Sequence, residues 1–190
     1  MKKILSLLVF LSASILLALS SQTSFENDVY PWLQEEGFTS TMSPTEFRKA
    51  DNITRAEAAR FLSQYSQLLD MPIVNTSCQF SDMVGYTPGL ASAVIEVCQF
   101  GFFRGVNGQF IPQGTLTEQQ AMVMILRSIY GQQDESGSPW YRSYFEIAEN
   151  LGFITDESIA GIFNQPISRE KMGTWMYLAI MAEDEESDDG

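Results

Sequence analysis

The sequence predicts a mainly α-helical fold built from helix–turn–helix units. Two segments match the capping box, in which a hydroxyl residue and a Glu or Gln three positions later cap each other: Thr54 with Glu57, and Thr117 with Gln120. Apolar residues follow Thr54, Thr117 and Ser168 at the i, i+3, i+4, i+7 spacing of a core-facing helix. Short strands are compatible with the stretches before these caps, but the pattern does not indicate a sheet-dominated fold.

Each of these three capped helices is expected to follow a shorter helix in the chain. The shorter helices are predicted near 25–36, 88–100 and 139–151. Glycines that follow them suit the left-handed residue that commonly ends a helix. The sequence therefore predicts six helices in three pairs.

Turns and further helix starts are indicated between the helices. Ser43-Pro44 and Ser138-Pro139 each place a cap residue before a proline, which is favoured at the first helical position. Residues 105–108 (GVNG) have the composition of a tight turn. Residues 131–137 (GQQDESG) have the composition of a linker between two periodic segments.

The three helix pairs follow one pattern, which we read as an internal repeat. Each contains a helix, a glycine, a turn with a phenylalanine, and then a β-branched residue or leucine before the hydroxyl cap of the second helix. The repeats span 24–70, 78–131 and 138–181, and are called segments 1, 2 and 3 below. One such unit cannot bury its apolar stripe alone, so we expect the three capped helices to share one core.

Composition excludes several classes of function. The chain has 190 residues, two cysteines and no histidine, so it has no Ser-His-Asp triad, Cys-His dyad, His-ligated zinc site or four-cysteine metal site. Its net charge of −13 argues against a nucleic-acid partner. A glycoside hydrolase that uses two carboxylates needs no histidine. No acidic pair has a context that marks it as catalytic, so we predict a non-enzymatic protein without metal or cofactor.

The N-terminus predicts export. Two lysines, an apolar run over 4–19 and small residues after it match a signal peptide over 1–20, with an uncleaved membrane anchor as the alternative. The 16-residue run is shorter than the roughly 20 residues that span a bilayer, so no stable membrane span is expected after cleavage. In an oxidising compartment Cys78 and Cys98 form a candidate disulfide, and two buried thiols are the alternative. Residues 183–190, with six acids, are predicted to form a disordered tail.

Specific residues resemble the S-layer homology (SLH) domain. Residues 53–58 (ITRAEA) match the signature of that family, and segment 2 contains its F-x-D, G-x-x-x-G, F-x-P and L-T elements at 80–82, 101–105, 110–112 and 116–117. The resemblance covers about 25–180. It implies a pseudo-threefold helical bundle that binds, without catalysis, a peptidoglycan-linked secondary cell-wall polysaccharide, often one with acidic groups. It also implies that the protein anchors a surface layer or an envelope partner.

The same resemblance nominates ligand-binding residues in the grooves between repeats. Arg55 and Arg169 match the signature arginine, Asp82 matches the F-x-D acid, and Trp32 and Trp140 are similar to a first-helix tryptophan that could stack on a sugar ring. Arg104, beside Gly105, is a candidate cation for the second groove.

This sequence departs from the family pattern at three places. Segment 2 has Glu118 where the arginine belongs, segment 3 has Lys171 in place of the glutamate and so loses its capping box, and segment 1 lacks a clean F-x-D. At most two grooves are therefore expected to bind an anion. The acidic chain and Glu118 leave a second hypothesis open, in which the same scaffold joins other envelope proteins without binding sugar.

Overall fold

The computed structural model describes residues 23–69, 72–74, 77–150, 153–154 and 164–188. The predicted signal peptide (1–20) and Gly152 and Phe163 of segment 3 lie outside these ranges. The described residues form six α-helices and isolated β-bridges but no strand, so the mainly α-helical class is confirmed. The helices are α1 (Tyr30–Glu35), α2 (Arg55–Leu68), α3 (Pro88–Gln99), α4 (Glu118–Tyr130), α5 (Arg142–Asn150) and α6 (Arg169–Asp188).

The starts of the capped helices agree with the sequence. Thr54 Oγ1 accepts the Glu57 N–H at 3.2 Å and the Glu57 carboxylate accepts the Thr54 N–H at 2.9 Å. Thr117 and Gln120 make the same reciprocal pair at 3.3 and 3.1 Å. In segment 3 half of the box remains, because Ser168 Oγ accepts the N–H of Lys171 at 3.1 Å. The lysine side chain has no acceptor and cannot return the bond.

Three expected helix boundaries differ from the observed ones. Residues 43–50 form turns rather than a helix, and Arg48 has a left-handed φ of 57° that no α-helix continues through. Helix α5 begins at Arg142, three residues after Pro139. The tail predicted to be disordered over 183–190 is instead helical as far as Asp188, because α6 continues into it and no glycine or proline interrupts the chain there before Gly190.

The residues before the three caps meet at one point of the core. Ile53, Leu116 and Ile167 are each fully buried. The N–H of Ile53 donates to Ile167 O at 3.0 Å, that of Ile167 to Leu116 O at 2.9 Å, and that of Leu116 to Ile53 O at 3.3 Å. The three bonds close a ring, so each buried amide finds its partner in another segment.

The first residue of each capped helix repeats this cyclic exchange. The N–H of Arg55 donates to Gly114 O at 2.7 Å, a residue of segment 2. The N–H of Glu118 donates to Gln165 O and that of Arg169 to Asp51 O, both at 3.0 Å. These amides have no partner inside their own helices, because the first turn of a helix lacks acceptors. The starts of α2, α4 and α6 are therefore held next to one another.

Each capped helix is covered by the shorter helix of another segment. Helix α3 packs on α2, α5 packs on α4, and α1 with the π-helical turn before it (Phe25–Val29) packs on α6. All three segments contribute buried side chains to one hydrophobic cluster. Because every capped helix depends on a neighbouring segment for burial, no segment has a complete core of its own.

A disulfide and a tight turn constrain the part of segment 2 that precedes α4. Cys78 and Cys98 are bonded at an S–S distance of 2.09 Å, which confirms the predicted pair. The turn predicted over 105–108 is also present: Val106 and Gln109 exchange backbone hydrogen bonds, and Asn107 and Gly108 between them have φ of 52° and 74°. Two left-handed residues are the signature of a type I′ hairpin turn.

Candidate functional site

Arg55 lies where segment 1 meets segment 2. Its Nε donates to Phe110 O at 2.8 Å, and its guanidinium carbon lies 4.8 Å and 5.0 Å from the ring centroids of Phe103 and Phe110. Both rings are almost completely buried. A guanidinium over an aromatic face gains electrostatic attraction of about 0.5–2 kcal/mol, depending on its desolvation. The side chain is therefore held in one place and is not a mobile surface arginine.

The loop 110–114 that holds Arg55 is itself fixed by Asp82. The Asp82 carboxylate accepts the N–H of Phe110 at 2.8 Å on one oxygen and the N–H of Ile111 at 2.7 Å on the other. Ile111 has φ of 59°, a strained conformation for a β-branched residue. Strain of about 1–3 kcal/mol persists only where the surroundings impose it. Asp82 therefore positions the loop rather than pointing into an open groove.

The charge of Arg55 is incompletely satisfied. Burial lowers the pKa of Arg55 and the nearby Asp82 carboxylate raises it, and an arginine stays protonated at neutral pH under both influences. Its Nη2 is buried and has no hydrogen-bond partner among the described residues. The residue as a whole is partly exposed. An anion at this surface would meet a fixed guanidinium, the arrangement that favours charge-assisted hydrogen bonds.

Replacing Asp82 by asparagine should destabilise the protein in a pH-dependent way. Burial tends to raise the pKa of Asp82, but the Phe110 and Ile111 amides outweigh it and lower the pKa. The carboxylate thus stabilises the fold above the unfolded-state pKa of about 4, and this contribution is lost as pH falls through the lower folded-state pKa. We expect Asp82→Asn to lower the free energy of unfolding by about 1–3 kcal/mol at pH 7, and the difference from wild type to shrink below pH 4.

Urea denaturation of both proteins at pH 7 and pH 3 measures this difference. Asp51→Asn is the matched control, because Asp51 pairs with Arg48 at the surface, where both side chains are more than half exposed. An ion pair this exposed contributes little to stability, because solvent screens it. An equal loss in both variants, or a loss for Asp82→Asn that does not change with pH, would contradict the assigned role.

Arg169 occupies the corresponding position where segment 3 meets segment 1. Its Nη2 donates to the Glu57 carboxylate across 112 residues of chain. The Arg169 side chain is 13% exposed, and its Nε is buried without a partner among the described residues. The signature arginine of segment 3 is therefore neutralised by the signature glutamate of segment 1.

Glu118 and Lys171, which both differ from the SLH signature, form an ion pair where segment 2 meets segment 3. Lys171 Nζ donates to Glu118 Oε1 at 2.8 Å, and Glu118 is the more buried partner, with side chains 41% and 11% exposed. The ammonium also lies 5.1 Å from the centroid of the Trp175 ring. The polarity of the Arg169–Glu57 pair is thus inverted here. The sequence contained a signal for this pair. Glu118 stands at the first residue of its capped helix, where the other two segments have arginine, and Lys171 stands at the third residue, where segment 1 has glutamate.

The remaining candidates lie apart from Arg55. Trp32 is 9% exposed and packs between Phe38 and Tyr177, at centroid distances of 5.1 and 5.6 Å, so it is placed in the core rather than in an open groove. Trp140 is 40% exposed, and the Arg127 guanidinium lies 5.9 Å from its ring.

Arg104 is exposed. Burial tends to raise the pKa of Glu135, but hydrogen bonds with Arg127 and Tyr144 lower it, and the charge of Arg104 adds the smallest lowering contribution. The structure therefore brings Arg55 and Asp82 together around one loop, and leaves the two tryptophans, Arg104 and Arg169 elsewhere. Two aromatic rings that complete the Arg55 site were not nominated from the sequence. Phe110 belongs to the F-x-P element at 110–112, but nothing in that element indicated a contact with Arg55, and Phe103 had no signal beyond its aromatic character.

Other kinds of site find no support in the described residues. Within those ranges no cluster of three or more acidic or cysteine side chains is placed to hold a metal ion. No helix among them has the length and apolar character needed to cross a membrane. Comparison with known proteins adds no family: no family model matches the sequence, and no curated protein matches it either.

Proposed function

We propose that this protein is an exported, non-catalytic component of the cell envelope that binds an acidic cell-wall glycopolymer and anchors a surface layer or an envelope partner. The residue that would contact the acidic group is Arg55. The resemblance of 53–58 and 80–117 to SLH elements supports the class of ligand. The Cys78–Cys98 disulfide is consistent with an oxidising, extracytoplasmic location.

We further infer that the three segments are arranged with pseudo-threefold symmetry. Two observations support this arrangement. The backbone bonds among Ile53, Leu116 and Ile167 run in a closed cycle. The shorter helix of each segment packs on the capped helix of the segment before it, and α1 closes the cycle by packing on α6. Three related grooves between segments would follow from such an arrangement.

One observation supports Arg55 as the anion site of this proposal. Arg169 and Lys171 each have a carboxylate partner, from Glu57 and Glu118. The residue of segment 2 at the position of Glu57 is Gln120, which is uncharged and whose Oε1 accepts the Thr117 N–H. No ion pair within the described residues involves Arg55. Of the three cations at these related positions, Arg55 is therefore the one without a carboxylate in an ion pair among the described residues, which supports it as the contact for an external anion.

Co-sedimentation with protein-free cell-wall sacculi tests the proposal. Wild type should sediment with intact sacculi and stay in solution with sacculi from which the non-peptidoglycan polymer has been extracted. Arg55→Ala should weaken binding roughly 10- to 100-fold, the cost of about 1.5–3 kcal/mol for charge-assisted contacts. Arg48→Ala removes the same charge from an exposed arginine and should bind as wild type.

Two results would contradict the proposal. Equal binding of Arg55→Ala and Arg48→Ala would exclude the assigned residue. Failure of folded wild type to sediment at low salt would exclude glycopolymer binding, and would favour the other reading of this scaffold, an adaptor between envelope proteins.

A further inference from the structure

A polar cleft lies between α2 and α3, on a different part of α2 from Arg55. Its volume is about 300 Å³. Helix α2 contributes Arg60, Ser63, Gln64 and Gln67, which lie on one helical face because they are three or four residues apart. The other wall is the start of α3, with its N-cap residue Thr87 and Gly89 of its first turn. Ligand pockets in proteins begin at about 300 Å³, so the cleft has room for one small chemical unit.

Several hydrogen-bonding groups of this cleft are not used by the fold. The Thr87 hydroxyl makes no capping bond to its helix. Gln64 donates through Nε2 to Glu36 O at 2.6 Å, which leaves its side-chain oxygen as an acceptor. Arg60 is exposed and takes part in no ion pair among the residues that the structure describes. Donors and acceptors are therefore both available.

The charge of the cleft is close to balanced. Arg60 supplies one positive charge. The Glu96 carboxylate accepts hydrogen bonds from two lining residues, Ser63 through Oγ and Gln67 through Nε2, the latter at 3.4 Å, so it supplies one negative charge beside the cleft. Leu90 and Ala93 complete the lining with apolar surface. A balanced cleft with hydroxyl, amide and guanidinium groups over an apolar patch favours an uncharged ligand that has many hydroxyl groups and one apolar face.

We propose that the α2–α3 cleft binds one uncharged pyranose residue, a second subsite for the glycopolymer. This subsite rests on the proposed function, because the same polymer would bind at Arg55 and in the cleft. A helix rises 1.5 Å per residue, so Arg60 and Gln67 lie about 8 and 18 Å along α2 from Arg55. A polymer whose acidic group meets Arg55 would need a neutral unit one to a few residues away to reach the cleft.

Titration with free sugars tests the cleft independently of the polymer. The probes are N-acetylglucosamine and galactose, added to the ¹⁵N-labelled protein up to several hundred millimolar. The side-chain amide signals of Gln64 and Gln67 should shift in a saturable way with at least one probe. The side-chain amide of Gln132, which is exposed on the 131–137 segment, serves as the internal control and should not shift.

Two variants test whether the lining groups bind the sugar. Gln67→Leu and Thr87→Val remove hydrogen-bonding groups with little change of size, and each should weaken sugar binding roughly two- to tenfold. Gln132→Leu should bind as wild type. A protein spectrum that is otherwise unchanged shows that each variant is folded, and the two variants report independently.

The outcomes separate the subsite from the proposed function. Unmoved Gln64 and Gln67 signals with both sugars, or unchanged affinity in both variants, would overturn the subsite even if sacculi bind through Arg55. Shifts at the cleft in a protein that does not sediment with sacculi would support the subsite and contradict the anchoring function.

Discussion

Glu118→Lys is expected to lower the free energy of unfolding by about 1.5–3 kcal/mol, the range for a hydrogen bond to a charged group. The Glu118 carboxylate is 11% exposed, and its hydrogen-bonded partner is Lys171. The substitution would place two ammonium groups close to each other beside the Trp175 ring, and because the Lys171 side chain is 41% exposed, solvent screens part of their repulsion. Urea denaturation measures the loss.

A second substitution should recover much of this loss. Lys171→Glu in the Glu118→Lys background restores an opposite-charge pair with the polarity of Arg169–Glu57. The first residue of the capped helix in segment 2 then has the charge of Arg55, and the third residue of that in segment 3 has the charge of Glu57. The control is Glu35→Lys, an exposed residue of α1 with the same change of charge, which should alter stability by about 0.5 kcal/mol or less. If the double variant is no more stable than Glu118→Lys alone, the pair does not couple the segments.

Leu116→Ala should have a larger effect, because Leu116 is fully buried and belongs to the ring that joins all three segments. Truncation of a buried leucine to alanine costs about 2.7–5 kcal/mol, through lost burial and the cavity that remains. Since no segment has a complete core, we expect the loss to appear as a single cooperative transition at lower denaturant, and not as the release of segment 2 alone.

Leu68→Ala is the matched control for this prediction. Leu68 is 46% exposed near the end of α2, so the same change in chemistry should cost less than about 1 kcal/mol. Circular dichroism and tryptophan fluorescence should report coincident transitions for wild type and for both variants. Separate transitions in the two signals, or equal losses for Leu116→Ala and Leu68→Ala, would contradict a core shared by the three segments.

Features that depend on neighbouring residues were predictable from the sequence. The capping boxes at Thr54 and Thr117 act over three residues, and both were found as predicted. The turn over 105–108 needs only left-handed backbone at Asn107 and Gly108. The helix expected after Ser43-Pro44 did not form, because a local start signal cannot show that Phe47 will be buried and the chain turned at Arg48.

The candidate site was predictable only in part. Arg55 and Asp82 were nominated together through the family resemblance, and they lie on either side of one loop. Trp32 and Trp140 could not be distinguished by sequence, since both follow the same pattern, yet one is buried and the other is 40% exposed. The burial of each tryptophan depends on which helix of another segment packs over it, and local sequence patterns do not show that packing.

The sequence by itself determined the helical class, the three capped helix starts and the disulfide partners. Only the tertiary structure decided which charges remain available. Arg169 meets Glu57 across 112 residues and Lys171 meets Glu118 across 53 residues, while Arg55 meets a backbone carbonyl and two aromatic rings. The physical reason is that caps and turns form within a few residues, whereas ion pairing between segments depends on how the helices pack.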